Sequence, residues 1–189
     1  MYEVELKLRI APKYFQSISA ELLRLSFEET PADQLDTYVR SGKRRVTARV
    51  RKETTETGAK YYFTTKKKAA EGAKDEHEVE ISQALYARYL KRPIVLCDIP
   101  LTVKKKRVHF KGKFENQAVT VCLDRARGPG RIWLGNFVEL EIQVPRRRQI
   151  HATRRRLKRL VEFLLPAAAR LERRGYRRML LDVLEERCD

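Results

Sequence analysis

Cysteine is scarce in this sequence, and the few that occur have the wrong spacing for two common kinds of site. Only Cys97, Cys122 and Cys188 are found among 189 residues, and no two of them form a CxxC pair. An odd number at wide spacing is untypical of a disulfide framework, and a zinc site needs clustered ligands. We therefore predict reduced thiols, as in a cytoplasmic protein.

Long apolar runs, targeting signals and nucleophile motifs are also missing. No apolar run approaches the roughly 18 residues that a membrane-spanning helix needs, so no membrane partner is expected. The charges near the N-terminus alternate with apolar residues, which is not the pattern of a signal peptide. There is no Walker A motif, no GxSxG and no Cys-His pairing. The simplest organisation is one domain spanning residues 1–189, with the oligomeric state, a dimer included, left open.

Acidic residues are far fewer than basic ones: 25 Asp and Glu stand against 42 Lys and Arg, a formal net charge of +17. Such an excess indicates anionic partners, such as nucleotides, polyphosphate, RNA or phospholipid headgroups. A basic run at 146–156 resembles segments that bind nucleic-acid backbones. No aromatic-interleaved RNA motif accompanies the run, so a solvated helix face is the favoured interpretation and nucleic acid is the less favoured partner.

Charged and apolar residues alternate with a period of two in several segments, which is typical of half-buried strands. The clearest is the first, in which charged residues alternate with apolar ones (Glu3, Glu5, Lys7 and Arg9 against Val4, Leu6, Leu8 and Ile10). Others cover 45–51, 61–66, 76–81 and 137–142. Like charges on one strand face repel, so acidic and basic strands must be interleaved or bind counter-ions. An α+β fold satisfies this condition if a closed antiparallel eight-stranded barrel has its charges inside and helices packed outside.

Between these strands, apolar residues at helical spacing and turn residues predict the remaining elements. Helices are expected at 12–25, 82–91, 147–165 and 171–186, and a hairpin at 101–113 and 117–124. Residues 26–33 are expected to form a loop, and 69–75 a flexible connection. Trp133, beside the Gly128-Pro129-Gly130 loop, is interpreted as a packing residue.

A series of short motifs runs through these segments. It comprises Glu3-x-Glu5-x-Lys7, Asp36-x-Tyr38, Ala48-Arg49-Val50-Arg51, Thr64-x-Lys66, Glu78-x-Glu80, Val103-x-Lys105-x-Arg107-x-x-Phe110, Val121-x-Leu123-Asp124, Gly135-x-Phe137-x-Glu139-x-Glu141, and Tyr176 before a leucine-rich helix. In content and order the series resembles the CYTH, or triphosphate tunnel metalloenzyme, superfamily. That superfamily includes class IV adenylyl cyclases, thiamine triphosphatases and inorganic triphosphatases. One departure is that Tyr38 is followed by Val39-Arg40-Ser41, where the family often has a second aromatic residue and an Asp.

The carboxylate pairs Glu3/Glu5 and Glu139/Glu141 are candidate metal ligands. From the residues alone, they either bind a hard cation or form salt bridges to neighbouring Lys and Arg. The resemblance favours a Mg²⁺ or Mn²⁺ site, with Asp124 as a further ligand. It also implies that these four glutamates and Lys7 are catalytic.

A basic set in phase with the acids is the candidate triphosphate clamp, because Arg forks and Lys charges suit phosphate oxygens. The set comprises Lys7, Arg49, Arg51, Lys66, Lys105 and Arg107. Lysines out of phase with the set are interpreted as solvated (Lys67, Lys68, Lys104 and Lys106). Arg9, Glu78 and Glu80 are kept as secondary candidates without an assigned role. The histidines show no ligand spacing and are interpreted as surface or packing residues (His77, His109 and His151).

Three functions compete. The leading one is a metal-dependent hydrolase that removes the γ-phosphate of inorganic triphosphate, thiamine triphosphate or a nucleoside triphosphate inside the barrel. The alternative is a class IV adenylyl cyclase that converts ATP to cyclic AMP and pyrophosphate. The third is a module that binds polyphosphate or RNA 5′ ends without turnover, although such a module would gain nothing from the four predicted metal ligands.

Overall fold

The structure, a computed structural model, describes residues 1–40, 46–69, 73–165 and 169–188. Its strands are β1 (Tyr2–Arg9), β2 (Glu28–Val39), β3 (Val46–Thr55), β4 (Gly58–Lys68), β5 (Lys74–Glu80), β6 (Val95–Leu96), β7 (Ile99–Pro100), β8 (Thr102–Phe114), β9 (Gln117–Arg127), β10 (Trp133–Val144) and β11 (Arg170–Leu171). Its helices are α1 (Phe15–Arg24), α2 (Gln83–Leu90), α3 (Ile150–Leu164) and α4 (Tyr176–Cys188).

The long strands form a closed antiparallel barrel. Their order is β10-β9-β8-β2-β3-β4-β5-β1, and a further pairing between β10 and β1 closes the ring. The short strand β11 adds to β1 only at Leu8 and Arg9. The predicted eight-stranded α+β barrel is therefore confirmed.

Helices cover much of the outer wall because that face of each strand is apolar. Buried residues of α3 recur every three or four positions (Ile150, Thr153, Leu157, Leu160 and Leu164). They join a core with the outward residues of β1 and β10, of which Val4 and Leu140 are fully buried. Burying one such side chain is worth about 1.5–3 kcal/mol, which holds α3 against the barrel. On the opposite side, α2 packs Tyr86 and Tyr89 against Tyr61 and Phe63 of β4.

At one end of the barrel, α4 fills the space between β2, β8, β9 and β10. Its Tyr176 meets Phe137 edge to face at 5.3 Å between ring centroids. Leu180 is fully buried in the same cluster, together with Leu101 and Tyr38. The helix begins at Tyr176 and not at residue 171 as predicted, because Arg170 and Leu171 pair with β1.

Two connections predicted from sequence turn out to be strands. Residues 28–33 belong to β2, so the loop predicted at 26–33 is wrong over that span. Pro31 is tolerated there because β2 pairs only with β8 before residue 33, so one edge of the strand is free of a ladder. Likewise β5 already begins at Lys74, within the connection predicted at 69–75. The predictions for 70–72 and for Arg45 lie outside the described residues.

The cysteines do not all behave as predicted. Cys97 is disulfide-bonded, so the prediction of a reduced thiol is wrong for this residue. Cys122 is free and lies on the inner face of β9, where burial raises the pKa of its thiol to about 12. The side chain of Cys188 lies outside the described part of the chain. The cytoplasmic location therefore stays a prediction. Within the described ranges, no helix combines the length and the apolar character needed to traverse a bilayer.

Candidate active site

Strand alternation and barrel closure bring the predicted acids of β1 and β10 next to one another. In the register of these two strands, Glu5 is opposite Glu141 and Lys7 is opposite Glu139. Their apolar neighbours face α3, so the charged side chains face the barrel interior. Side chains from the inner faces of the remaining long strands meet them there, in three groups.

The first group is an acidic cluster at Glu3. Carboxylate oxygens of Glu3, Glu76 and Glu141 all lie within 4.8 Å of one another. Burial raises the pKa of Glu3 to about 7, against the attraction of Lys66 and with added repulsion from Glu5 and Glu141. An all-oxygen donor set of converging carboxylates suits a hard divalent cation such as Mg²⁺ or Mn²⁺.

Two lysines are the counter-ions of this cluster. The Nζ of Lys66 lies 2.6 Å from Glu3 Oε2 and 3.1 Å from Glu76 Oε1. Lys74 bridges Glu3, at 3.4 Å, and Glu5. Burial alone would raise the pKa of Glu5, but Lys74, Lys7 and Lys66 together outweigh it and the pKa falls to about 2. The salt bridges that the sequence left open as an alternative to metal are thus formed in the structure.

The second group is organised by Asp36, which is fully buried and holds three cations. Arg51 donates two hydrogen bonds to it, at 2.6 Å and 3.1 Å, and Arg49 donates one at 3.2 Å. The Nζ of Lys105 lies 3.3 Å from the same carboxylate. Burial would raise the pKa of Asp36, but Arg49, Arg51 and Lys105 together hold it well below its usual value. Burial, with repulsion from Arg107 and Arg51, lowers the pKa of Lys105 to about 7.

The third group is organised by Arg107 on β8. Its Nε donates to Asp124 Oδ1 at 2.6 Å, and its Nη2 contacts both Asp124 and Glu139. Tyr176 donates its hydroxyl to Asp124 at 2.6 Å. Lys7 lies 3.1 Å from Glu139 and 3.8 Å from the centroid of the Tyr176 ring. Asp124 is fully buried, and its oxygens are used by Arg107 and Tyr176, away from the Glu3 cluster.

The closed barrel, with acids and cations facing its interior, agrees with the result of comparing the sequence with protein families. The profile of the CYTH domain matches residues 1–176. The chain belongs to the CYTH family. A search of curated proteins found no significant match to the sequence.

Solved structures share this CYTH fold at low sequence identity. A Pyrococcus horikoshii protein is 24% identical, with a TM-score of 0.73 over 96% of this chain and 99% of its own. A Vibrio parahaemolyticus protein proposed as an adenylate cyclase is 20% identical, with a TM-score of 0.67 over 96% and 98%. A Hippeastrum protein proposed as an adenylyl cyclase, and described as having a dominant triphosphatase activity, is 16% identical, with a TM-score of 0.57 over 98% and 95%. At these identities the likeness establishes the fold alone.

The secondary candidates lie toward the edges of the CYTH barrel interior. Glu78 accepts a hydrogen bond from Thr64 at 2.7 Å, and its side chain is 37% exposed. Glu80 is 60% exposed and lies 4.0 Å from Lys60. Arg9 donates to the carbonyl oxygen of Leu134 at 2.8 Å and lies 3.5 Å from Glu172. None of these three joins the Glu3 cluster.

Sequence reasoning missed Glu76, Lys74 and His109. Glu76 shares the alternating face of Glu78 and Glu80, so its phase was a usable signal for an interior position. Lys74 carried no usable signal, because it follows a segment whose composition resembles a loop. His109 is in phase with Lys105 and Arg107 on β8, and it lies in the interior, 3.5 Å from Glu53. Its phase was therefore a usable signal for an interior position.

A cavity of about 240 Å³ lies between β8, β9 and β10, next to the acidic cluster. Lys111, Thr120, Glu141 and Gln143 supply its polar lining. The other lining residues are Gly112, Ala118 and Val119, so none of the residues around this cavity is aromatic. It connects Glu141 to the barrel end opposite α4.

Proposed function

We propose that this CYTH protein is a metal-dependent triphosphatase, which hydrolyses the terminal phosphate of a triphosphate-bearing substrate held inside the barrel. One observation carries the proposal: the Glu3, Glu76 and Glu141 oxygens converge beside two groups of buried cations. A polyanion with a divalent cation has the charges needed to satisfy both sets at once.

The acidic cluster fits Mg²⁺ or Mn²⁺ by donor chemistry. Glu3, Glu76 and Glu141 would hold the cation, with Glu5 near enough to Glu3 for Lys74 to bridge them. A divalent cation at this place would polarise phosphoryl oxygens and favour deprotonation of water. The metal set differs from the one predicted from sequence in including Glu76; Glu5, Glu139 and Asp124 stay predictions as direct ligands.

The buried cations act as preorganised donors. Asp36 fixes Arg49, Arg51 and Lys105, while Asp124 and Glu139 fix Arg107 and Lys7. Donors held in place before the substrate arrives stabilise developing phosphoryl charge without reorganising during the reaction. The family's arrangement needs no protein nucleophile, consistent with the buried, unreactive state of Cys122.

Hydrolysis is the leading candidate because it needs only the acidic cluster and the buried cations described above. A cyclase must in addition hold adenosine so that its ribose oxygen reaches the α-phosphate. The dominant triphosphatase activity described for the Hippeastrum relative supports the same choice. Cyclisation of ATP is the second candidate, supported by the proposed activity of the Vibrio relative.

A product screen tests the proposal. The protein is incubated with inorganic triphosphate, thiamine triphosphate, ATP or GTP, each with Mg²⁺ or Mn²⁺, and the products are separated by chromatography. We expect orthophosphate from at least one substrate. Pyrophosphate with cyclic AMP would establish the cyclase instead, and tight binding without product would establish the binding module.

A pair of matched variants tests whether the measured activity takes place in the barrel interior. Glu141→Gln removes one cluster charge at nearly constant volume, and we expect it to abolish orthophosphate release. Glu162→Gln makes the same change on the exposed face of α3 and should leave the rate unaltered. Equal rates in the two variants would contradict the assignment.

A further inference from the structure

The outer wall of the β8–β9 hairpin changes character abruptly along its length. In the half nearer the hairpin turn, the outward cross-strand pairs are apolar and covered by the core (Val108 opposite Leu123, Phe110 opposite Val121). In the half farther from the turn, consecutive outward pairs are cationic and exposed (Lys106 opposite Arg125, Lys104 opposite Arg127). The result is a two-by-two grid of positive charges on an open sheet surface, hereafter the outer basic grid.

Such a grid costs stability unless something anionic lies on it. Like charges directly opposite one another in an antiparallel pair have Cβ atoms about 4.5–5.5 Å apart and repel. Asp33 is the register partner of Lys106 on β2, yet within the described ranges no member of the grid forms an ion pair with a carboxylate. By contrast, the basic surface of α3 is partly neutralised, because Glu115 binds both Arg156 and Arg159. The grid is thus a basic surface whose four cations form no ion pair with a carboxylate in the described part of the chain.

An aromatic side chain adjoins the grid. Trp133, at the start of β10, is the register partner of Arg127, whose guanidinium carbon lies 5.4 Å from the centroid of the tryptophan ring. Trp133 is 50% exposed, and the packing role predicted for it stays a prediction. Arg125 has a similar contact with Phe15, at 5.6 Å. The two arginines are held by rings, and Trp133 leaves a flat apolar face open to solvent.

We propose that the outer basic grid and Trp133 form a binding surface for single-stranded nucleic acid, with backbone phosphates on the four cations and a base stacked on Trp133. Proteins that bind single strands combine a cationic track with aromatic stacking platforms, which is the combination found here. A duplex is a poorer fit, because the grid lies on a sheet wall and presents no helix to a groove. An anionic lipid surface would be bound better by an amphipathic helix than by a single exposed ring.

The surface is separate from the proposed triphosphatase site. Lys104 and Lys106 point away from the barrel, whereas Lys105 and Arg107 between and beside them point into it. Nucleic-acid binding on the outer wall can therefore be tested independently of triphosphate turnover inside the barrel. Oligonucleotides with a 5′-hydroxyl end keep the two apart experimentally, since they present no triphosphate to the interior.

The chain contains one tryptophan, so its fluorescence reports on this surface alone. We titrate the protein with 5′-hydroxyl oligo(U) and oligo(dT) and expect saturable quenching as a base stacks on Trp133. Four phosphate contacts predict that log Kobs falls with log salt with a slope of about −3. Lys104→Gln combined with Lys106→Gln should reduce that slope by about 1.4 and weaken binding. Trp133→Ala, followed by anisotropy of a labelled oligonucleotide, should weaken binding about tenfold or more.

The matched control is Arg147→Gln combined with Arg148→Gln, which removes the same charge from an exposed basic segment elsewhere. If both double variants weaken binding equally, the effect is net charge and the proposal is overturned. It is also overturned if polyphosphate of equal charge or anionic vesicles bind as tightly without quenching, or if inorganic triphosphate displaces the oligonucleotide at matched ionic strength. Circular dichroism of each variant verifies that the comparison is made between folded proteins.

Discussion

The inner and outer faces of β8 both carry basic residues, which are buried on the inner face and exposed on the outer face. On the inner face, Lys105 and Arg107 are 2% and 7% exposed, and each lies against buried carboxylates. On the outer face, Lys104 and Lys106 are exposed and lie opposite arginines. Both faces belong to the same strand, and both carry basic residues. The neighbouring strands make the difference, because they supply ion-paired acids inside, whereas outside β9 supplies two further arginines.

The energetic consequences of the two faces also differ. A buried cation loses hydration and is stable only while its carboxylate partner remains, so removing either one leaves an uncompensated charge. An exposed cation keeps its hydration, and its neighbours change stability only slightly. Measurements that exchange or remove charges on the two faces test this contrast directly.

The largest contrast is expected between Arg107→Gln and Lys106→Gln. The first leaves Asp124 and Glu139 without their guanidinium partner and should lower the free energy of unfolding by about 3–5 kcal/mol. The second should stay within about 0.5 kcal/mol of the parent protein. Urea unfolding at pH 7 without divalent cations measures both. Similar losses in the two variants would mean that burial does not govern these charges.

A second contrast follows β5 from the barrel interior to its rim. Glu76→Gln removes a charge from the acidic cluster and should lower kcat by roughly 100-fold on whichever triphosphate proves to be the substrate. Glu80→Gln, at the exposed end of the same strand, should change kcat by no more than about twofold. Steady-state kinetics decides between them. A rate loss at Glu80 equal to that at Glu76 would remove Glu76 from the proposed site.

The pKa of Glu3 predicts a pH dependence that an exposed carboxylate would not show. Burial raises this pKa from 4.5 to about 7, so native Glu3 keeps a proton that unfolded Glu3 has lost. Without metal, its contribution to stability is therefore present below pH 4.5 and is lost as the pH rises through 7. Metal ligation requires the carboxylate, so Mn²⁺ affinity should fall about tenfold per unit below pH 7.

Calorimetry of Mn²⁺ binding from pH 5.5 to 8 measures this dependence. Proton release, read from buffers of different ionisation enthalpy, should accompany binding near pH 6 and disappear in Glu3→Gln. An affinity that is constant across the range would show that Glu3 is already ionised or takes no part.

The smallest effect is expected on the outer face. Lys104→Glu turns the repulsive pair with Arg127 into an attractive one, with apolar Leu35 as its partner on the other side, and should stabilise the protein by about 0.2–1 kcal/mol. Because the pair is exposed, the gain should shrink at high salt. Thermal unfolding at low and high ionic strength measures it. A gain that is independent of salt would point to a change other than charge.

Local periodicity was sufficient to assign the residues of β8 to their faces. A two-residue period places Lys105 and Arg107 on one side and Lys104 and Lys106 on the other, and the same rule identified the inner residues of β1, β3 and β10. The closed barrel also followed from the sequence, since charged strand faces of both signs need one another.

Contacts between strands were beyond the reach of such reasoning. Asp36 collects cations from β3 and β8, which flank β2, and Glu76 meets Glu3 and Glu141 because β1 lies between β5 and β10. Which strands are neighbours, and in which register, leaves no mark in any single segment. The exposure of Trp133 likewise depends on tertiary packing that no single segment encodes.

The bridges made by Lys66 and Lys74 have a consequence for the order of events in the barrel. In the resting protein each lysine occupies carboxylate oxygens of the acidic cluster. If a divalent cation binds those oxygens as proposed, the ammonium groups would be released and would need a new anion. Phosphate oxygens would supply it, so metal and polyanion should each raise the affinity of the other by the same factor. Under the proposed function, neither ligand would therefore bind at full strength until its counterpart is present.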